Sequence, residues 1–189
     1  MLQFVVCGLR ATGKSELIEN ILQAYGNAIS LKKISAGQFV RDLATQLGTD
    51  LAGADRHMLK NIELHRELDS NVLQQCLAAD NFVVDWRMGP MFRRQLPKAL
   101  MVRLDCDKTK RTIRYQKRAG ILYYGLAEEA LRAEETPYFE AMRELYGSAG
   151  VFADSDFDLV VDTSELTPEE VFAQVRRLIT DRVPGLSRA

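Results

Sequence analysis

The residues Gly8-Leu9-Arg10-Ala11-Thr12-Gly13-Lys14-Ser15 match G-x-x-x-x-G-K-[ST], a spacing whose chemistry is the binding of a polyphosphate. Glycine lets backbone N–H groups approach phosphate oxygens with no Cβ in the way, and a helix beginning at the loop's end adds partial positive charge. Gly8, Arg10, Ala11, Thr12 and Gly13 are therefore the expected cradle, with Lys14 reaching the β and γ phosphates and the Ser15 hydroxyl ligating Mg²⁺. Asp85 closes the apolar run Phe82-Val83-Val84-Asp85, so its carboxylate is expected at the carboxyl edge of a sheet beside the cradle. It is the best candidate for a metal-side or catalytic carboxylate; a helix or turn cap is the alternative.

Moving a phosphoryl group needs positioning and charge neutralisation more than bond-making groups, and arginine supplies both. Arg41 sits one turn into an expected helix and Arg87 follows a strand end, so both can present a guanidinium to an acceptor phosphate. Lys110, Arg111, Arg114, Lys117 and Arg118 recur at helical spacing, forming a cationic stripe suited to the adenine and triphosphate side of a donor, or a solvated face. Ser35 is explained equally by capping and by substrate contact. Asp69 can touch an acceptor base or form an ion pair on its helix face. His57 and His65, eight apart without other ligands nearby, read as surface or structural residues.

These residues need elements to hold them. Short apolar runs at Leu2–Cys7, Ile29–Ile34, Phe82–Asp85, Ala99–Asp105 and Leu159–Asp162 predict strands covered on both faces. Amphipathic stretches at Lys14–Ala24, Gly37–Leu47, about Ala54–Ala78, Lys108–Arg118 and Pro168–Ile179 predict the helices between them. Ser35 with Gln38 fits a capping box, as does Thr167-Pro168 with Glu170. The alternation makes the fold α/β, a parallel sheet with helices on both faces. Two stretches break it: 48–60 is polar and loop-like, and 119–157 interposes Gly-bounded helical pieces, so these are the candidate moving parts.

Composition narrows the function further. The 189 residues carry 25 basic and 26 acidic side chains, net −1, and 47% are apolar, which fits one globular domain over 1–189 and argues against a nucleic-acid partner. Met1–Cys7 is apolar but has no basic leader and is soon interrupted by Gly8, Arg10 and Lys14, so a cytoplasmic protein with no membrane partner is expected. Cys7, Cys76 and Cys106 lie at no metal-ligand spacing and read as reduced core thiols.

With these residues in view, the chain resembles the cytidylate kinase-like branch of the P-loop nucleoside monophosphate kinases, in its short archaeal form. Besides the phosphate loop, the likeness rests on Ile34-Ser35-Ala36-Gly37 with Arg41, Glu67-Leu68-Asp69, Asp85 with Arg87, the run Arg111, Arg114, Arg118 and Gly120, Tyr146-Gly147, and Asp158-Leu159-Val160-Val161 with Thr163-Ser164. The resemblance implies a P-loop NTPase fold with a five-stranded parallel sheet, an acceptor region near 35–80 and a small helical lid near 119–157. It also implies transfer of the γ-phosphoryl of ATP, with Mg²⁺, to a small-molecule acceptor, CMP or dCMP. Lys14, Asp85, Arg87 and Arg132 are then the catalytic set, with Arg114 and Arg118 on the donor and Ser35, Arg41, Asp69 and Arg87 on the acceptor.

The lid departs from that pattern. Leu126–Tyr146 holds six Glu against Arg132 and Arg143, net −4, and Pro137-Tyr138-Phe139 stands where charged residues are expected. Acid closing on a polyphosphate is unfavourable unless those glutamates face outward. Trp86 replaces a family glycine, and Met88 offers no hydrogen bond for a cytosine. Two other readings stay open: phosphorylation of a hydroxyl on another small molecule with Asp85 as general base, and a non-catalytic nucleotide-binding regulator.

Overall fold

The structure is a computed structural model, and it describes the chain except residues 51, 52, 55, 56, 59, 148–151, 184 and 187–189. Five strands alternate with helices: β1 (Gln3–Gly8), α1 (Lys14–Ile29), β2 (Lys32–Ser35), α2 (Ala36–Leu47), α3 (Ile62–Leu77), β3 (Phe82–Asp85), β4 (Leu100–Asp105), α4 (Lys108–Ala119), α5 (Tyr124–Tyr146), β5 (Leu159–Asp162) and α6 (Pro168–Arg182). All strand pairs are parallel, in the order β2-β3-β1-β4-β5. From the centre, α1 leads toward β2 at one edge and α4 leads toward β5 at the other. A crevice opens where such connections diverge, at the carboxyl ends of β1 and β4.

Side chains of β1 alternate between two cores. Phe4 and Val6 face α1 and α6, packing on Leu17, Ile21, Val175 and Ile179, while Val5 and Cys7 face Val72, Cys76, Trp86 and Met142 of the opposite layer. Both sides of the strand are buried, so the sequence reads as a continuous apolar run. Each fully buried aliphatic contributes about 1.5–3 kcal/mol relative to exposure.

Several features differ from the sequence expectation. The second strand is Lys32–Ser35, not Ile29–Ile34, because α1 runs on through Ile29 and stops at Ser30 in the left-handed region (φ 49°). Asn81 fixes that stop: its side chain donates to Ile29 O and accepts from Leu2 N, both at 2.8 Å. The expected capping box at Ser35 does not form, since Gln38 accepts from the Arg41 guanidinium and donates to Asp42, whereas the box at Thr167 and Glu170 is complete.

The long helix expected over 54–78 is interrupted: α3 starts at Ile62 after Asn61 takes an extended conformation, and of the residues before it 53, 54, 57 and 58 are helical while 55, 56 and 59 lie outside the described residues. Among the described residues of 119–157, one 23-residue α-helix and a short 3-10 turn at Asp154–Asp156 stand in place of several Gly-bounded pieces. The helix backbone continues through Pro137 because packing anchors both halves: Ala127 and Leu131 lie against Tyr115, and Ala141 and Met142 enter the second core. Those contacts outweigh the single N–H that proline removes. Gly147, at φ 66°, ends the helix.

Candidate active site

Where β1 ends, the backbone must turn sharply toward α1. Gly8 takes φ 141°, and a Cβ there would lie 2.5 Å from Leu104 O on β4, so no other residue fits. Ala11 (φ 61°) and Gly13 (φ 97°) complete the turn in left-handed conformations. Thr12 is buried, and Thr163, just after β5, ties the loop to the sheet: its hydroxyl lies 3.0 Å from both Thr12 O and Asp105 O. Preorganisation of this kind costs nothing further when an anion arrives.

Lys14 folds over the turn and donates to Leu9 O at 2.9 Å, with its ammonium 4.0 Å from the Asp85 carboxylate. Burial holds the ammonium below its ordinary lysine value, and Asp85 partly offsets that. A buried cation without a full counter-charge is poised to gain by meeting an anion. Asp85 extends from the end of β3, its side chain 37% exposed, and Arg87 follows it, its guanidinium 4.1 Å from the centre of the Tyr138 ring on α5.

These groups share one cavity of about 1100 Å³, running from the loop at Arg10–Ser15 past Lys14 and Asp85 to an apolar slot lined by Leu68, Trp86, Met88, Tyr138 and Met142. Arg114, Lys117 and Arg118 line the same cavity. Arg114 is fixed there by bonds to Thr163 (Oγ1, 3.0 Å; O, 2.6 Å) and Cys106 Sγ.

A chain with this turn, this sheet order and this cavity has known relatives. It is 30% identical over 93% of its length to a cytidylate kinase of Ignicoccus hospitalis, covering 97% of that protein, and 30% identical over 94% of its length to a cytidylate kinase of Pyrococcus abyssi, covering 93%. The family model described as AAA domain matches residues 5–130. The chain belongs to the cytidylate kinase-like family. It is thus an enzyme of the P-loop kinase class. A shikimate kinase structure from Bacteroides thetaiotaomicron superposes with TM-score 0.56 at 12% identity, covering 94% of this chain and 96% of that one, a likeness of fold.

Against that family background, several expected residues are brought together and others are not. Arg10, Ala11, Thr12, Gly13, Lys14, Ser15, Asp85, Arg87, Asp69, Arg114 and Arg118 all line the cavity, whereas Gly8 does not and instead sets the turn against β4. Arg41 does not. It is exposed, bonded to Gln38 Oε1 (2.8 and 3.0 Å), and with Ser35 borders a smaller separate depression. Arg132 and Arg143 are exposed on α5 and line no part of the main cavity, because α5 turns its Ala133, Glu134, Tyr138 and Met142 face inward. The cationic stripe splits too: Lys110 pairs with Glu165 at the surface, and Arg111 is buried beneath the loop, donating to Arg10 O at 2.9 Å.

Two glutamates of α5 face inward, against the outward orientation expected from the sequence. Glu135 binds the Arg111 guanidinium and accepts from Arg10 N at 3.3 Å. Glu134 accepts from the Tyr115 hydroxyl at 2.8 Å and pairs with Arg10 Nε at 2.9 Å. The acid is tolerated because each carboxylate meets a guanidinium.

Trp86, 1% exposed, is a packing residue with a second task. It stacks on Phe92 with centroids 4.5 Å apart, and its indole N–H donates to Asp69 Oδ1 at 2.6 Å. Tyr146 donates to Asp69 Oδ2 at the same distance, so Asp69, 3% exposed, is held from both sides. Burial raises the Asp69 carboxyl above its ordinary value, and the two hydrogen bonds pull it back. His65, one turn before Asp69, also lines the cavity and was missed as a site residue: nothing in its spacing separates it from a surface histidine. The Asp69–Tyr146 link likewise spans 77 residues and leaves no local signal.

ATP and Mg²⁺ fit the residues present. The turn offers backbone N–H groups and Lys14, and Ser15 and Asp85 both reach the cavity. Among the described residues no cluster of three metal-ligating side chains occurs. Among the described residues, no helix is long and apolar enough to cross a membrane.

Proposed function

We propose that this chain transfers the γ-phosphoryl group of Mg²⁺-bound ATP to a nucleoside monophosphate, CMP or dCMP first among acceptors. The observation that carries the reading is the single cavity joining a phosphate-loop end to an apolar slot, with Lys14, Asp85 and Arg87 at the junction. Donor phosphates lie on the loop amides and Lys14, and Arg114 and Arg118 flank the adenosine end. Ser15 and Asp85 would hold the magnesium, which supplies charge neutralisation to the transferring group. Arg87 meets the acceptor phosphate, with Tyr138 holding its guanidinium from behind. The relatives' name, cytidylate kinase, supports a cytosine nucleotide as acceptor.

No general base is required. A monophosphate has its second pKa near 6, so its oxygen is mostly ionised at neutral pH. Incubation with Mg-ATP and a panel of monophosphates and small hydroxylic compounds, read as ADP release above the acceptor-free rate, is the test. Transfer to CMP or dCMP is expected, with Asp85→Asn impaired through metal placement. Transfer only to a hydroxylic compound, abolished by Asp85→Asn, would instead make Asp85 a base, and no transfer at all would leave a nucleotide-binding regulator.

A further inference from the structure

The acceptor end of the cavity contains a polar atom that the fold leaves unserved. His65 is 7% exposed, lines the cavity, and its Nε2 is buried with no hydrogen-bond partner among the described residues. A buried polar atom without a partner costs about 1–3 kcal/mol, so such atoms mark places where something else binds. The ring stands edge-on to Tyr138, with centroids 6.4 Å apart at 74°. Burial lowers its pKa below the ordinary imidazole value, so the ring is neutral at neutral pH.

Four residues on, Asp69 shares this face of α3 and the same cavity. Trp86 and Tyr146 each occupy one site on its two oxygens. A carboxylate accepts about four hydrogen bonds, so acceptor capacity remains. The pair thus offers a fixed acceptor beside an imidazole nitrogen that can carry a proton. Its complement is a ring bearing an amino group next to a ring nitrogen: the amino group donates to Asp69, and the ring nitrogen accepts from His65 Nε2–H. The walls around it, Leu68, Met88, Tyr138 and Met142, suit a flat heterocycle.

We propose that His65 is a specificity-determining residue that, with Asp69, reads the amino edge of the acceptor base. Cytosine and adenine present that edge. Uracil presents a carbonyl beside an N–H: in the register that puts the exocyclic group on Asp69 and the ring nitrogen on His65, two acceptors meet at Asp69 and two donors meet at His65. This inference rests on the monophosphate reading above and adds which bases the slot admits and through which atoms.

The test compares wild type, His65→Phe and His65→Gln with CMP, AMP and UMP as acceptors, read as kcat/KM and as monophosphate binding by calorimetry. Wild type should favour the amino-bearing bases, and the CMP and AMP arms tell which of the two the slot accommodates. His65→Phe should lower kcat/KM for the favoured one by about tenfold or more with UMP little changed, since a lost hydrogen bond to a buried group has that effect. His65→Gln, whose amide still donates, should recover part of it, which a purely structural role would not allow. Equal loss for all three acceptors, or no loss in His65→Phe, overturns the inference while leaving the monophosphate kinase reading intact. Failure of wild type to use any monophosphate overturns that reading and this inference with it.

Discussion

Under the proposed function Lys14 is the residue on which the chemistry turns, because its ammonium is half-committed in the free protein: one bond to Leu9 O, a long approach to Asp85 and little solvent. Lys14→Met should lower the phosphoryl-transfer rate by about 10²–10³, the usual consequence of losing one preorganised charge at a developing anion, with no loss of thermal stability. ADP release and a melting curve check both halves. His65 gives a pH signature. Its folded pKa lies below the unfolded one, so the unfolded chain binds the extra proton first. Its contribution to stability is therefore complete above about pH 6.5 and is lost as pH falls toward the lowered folded value. Denaturation series across that range should show a steeper acid loss in wild type than in His65→Gln.

At the scale of elements, α5 is a clasp. Glu135 and Arg111, both largely buried, join it to α4 and to the backbone of the phosphate loop. Glu135→Gln keeps the shape but removes the charge facing a buried guanidinium, which should cost about 1.5–3 kcal/mol. Chemical denaturation reads the loss, and amide exchange should quicken selectively in 124–136. The same helix shows where sequence reading stops. Strands covered on both faces, the glycine turn and the Thr167 box are local patterns, and they were legible with boundaries good to a few residues. The orientation of Glu134 and Glu135 was not, since it depends on Arg10 and Arg111, far away in the chain. Arg41 is the converse case: its type and spacing suited an acceptor clamp, yet Gln38, three residues before it, captures the guanidinium on the exposed side of α2.

For the whole molecule, loop, sheet and clasp line one cavity, and any ligand specific to the folded state stabilises the fold by mass action. Mg-ATP at about 100 times its Kd should add about 2.7 kcal/mol, which for a chain of this size raises Tm by about 5–10 °C. Lys14→Met should blunt that shift. The inward glutamates carry a consequence for how such a ligand enters. Arg10, which lines the cavity, already holds a carboxylate, so a triphosphate arriving at the loop would trade places there with an anion belonging to the protein itself. Dissolved salt competes with both the resident and the incoming charge. Donor affinity should accordingly change less with ionic strength than the number of cations around the cradle implies.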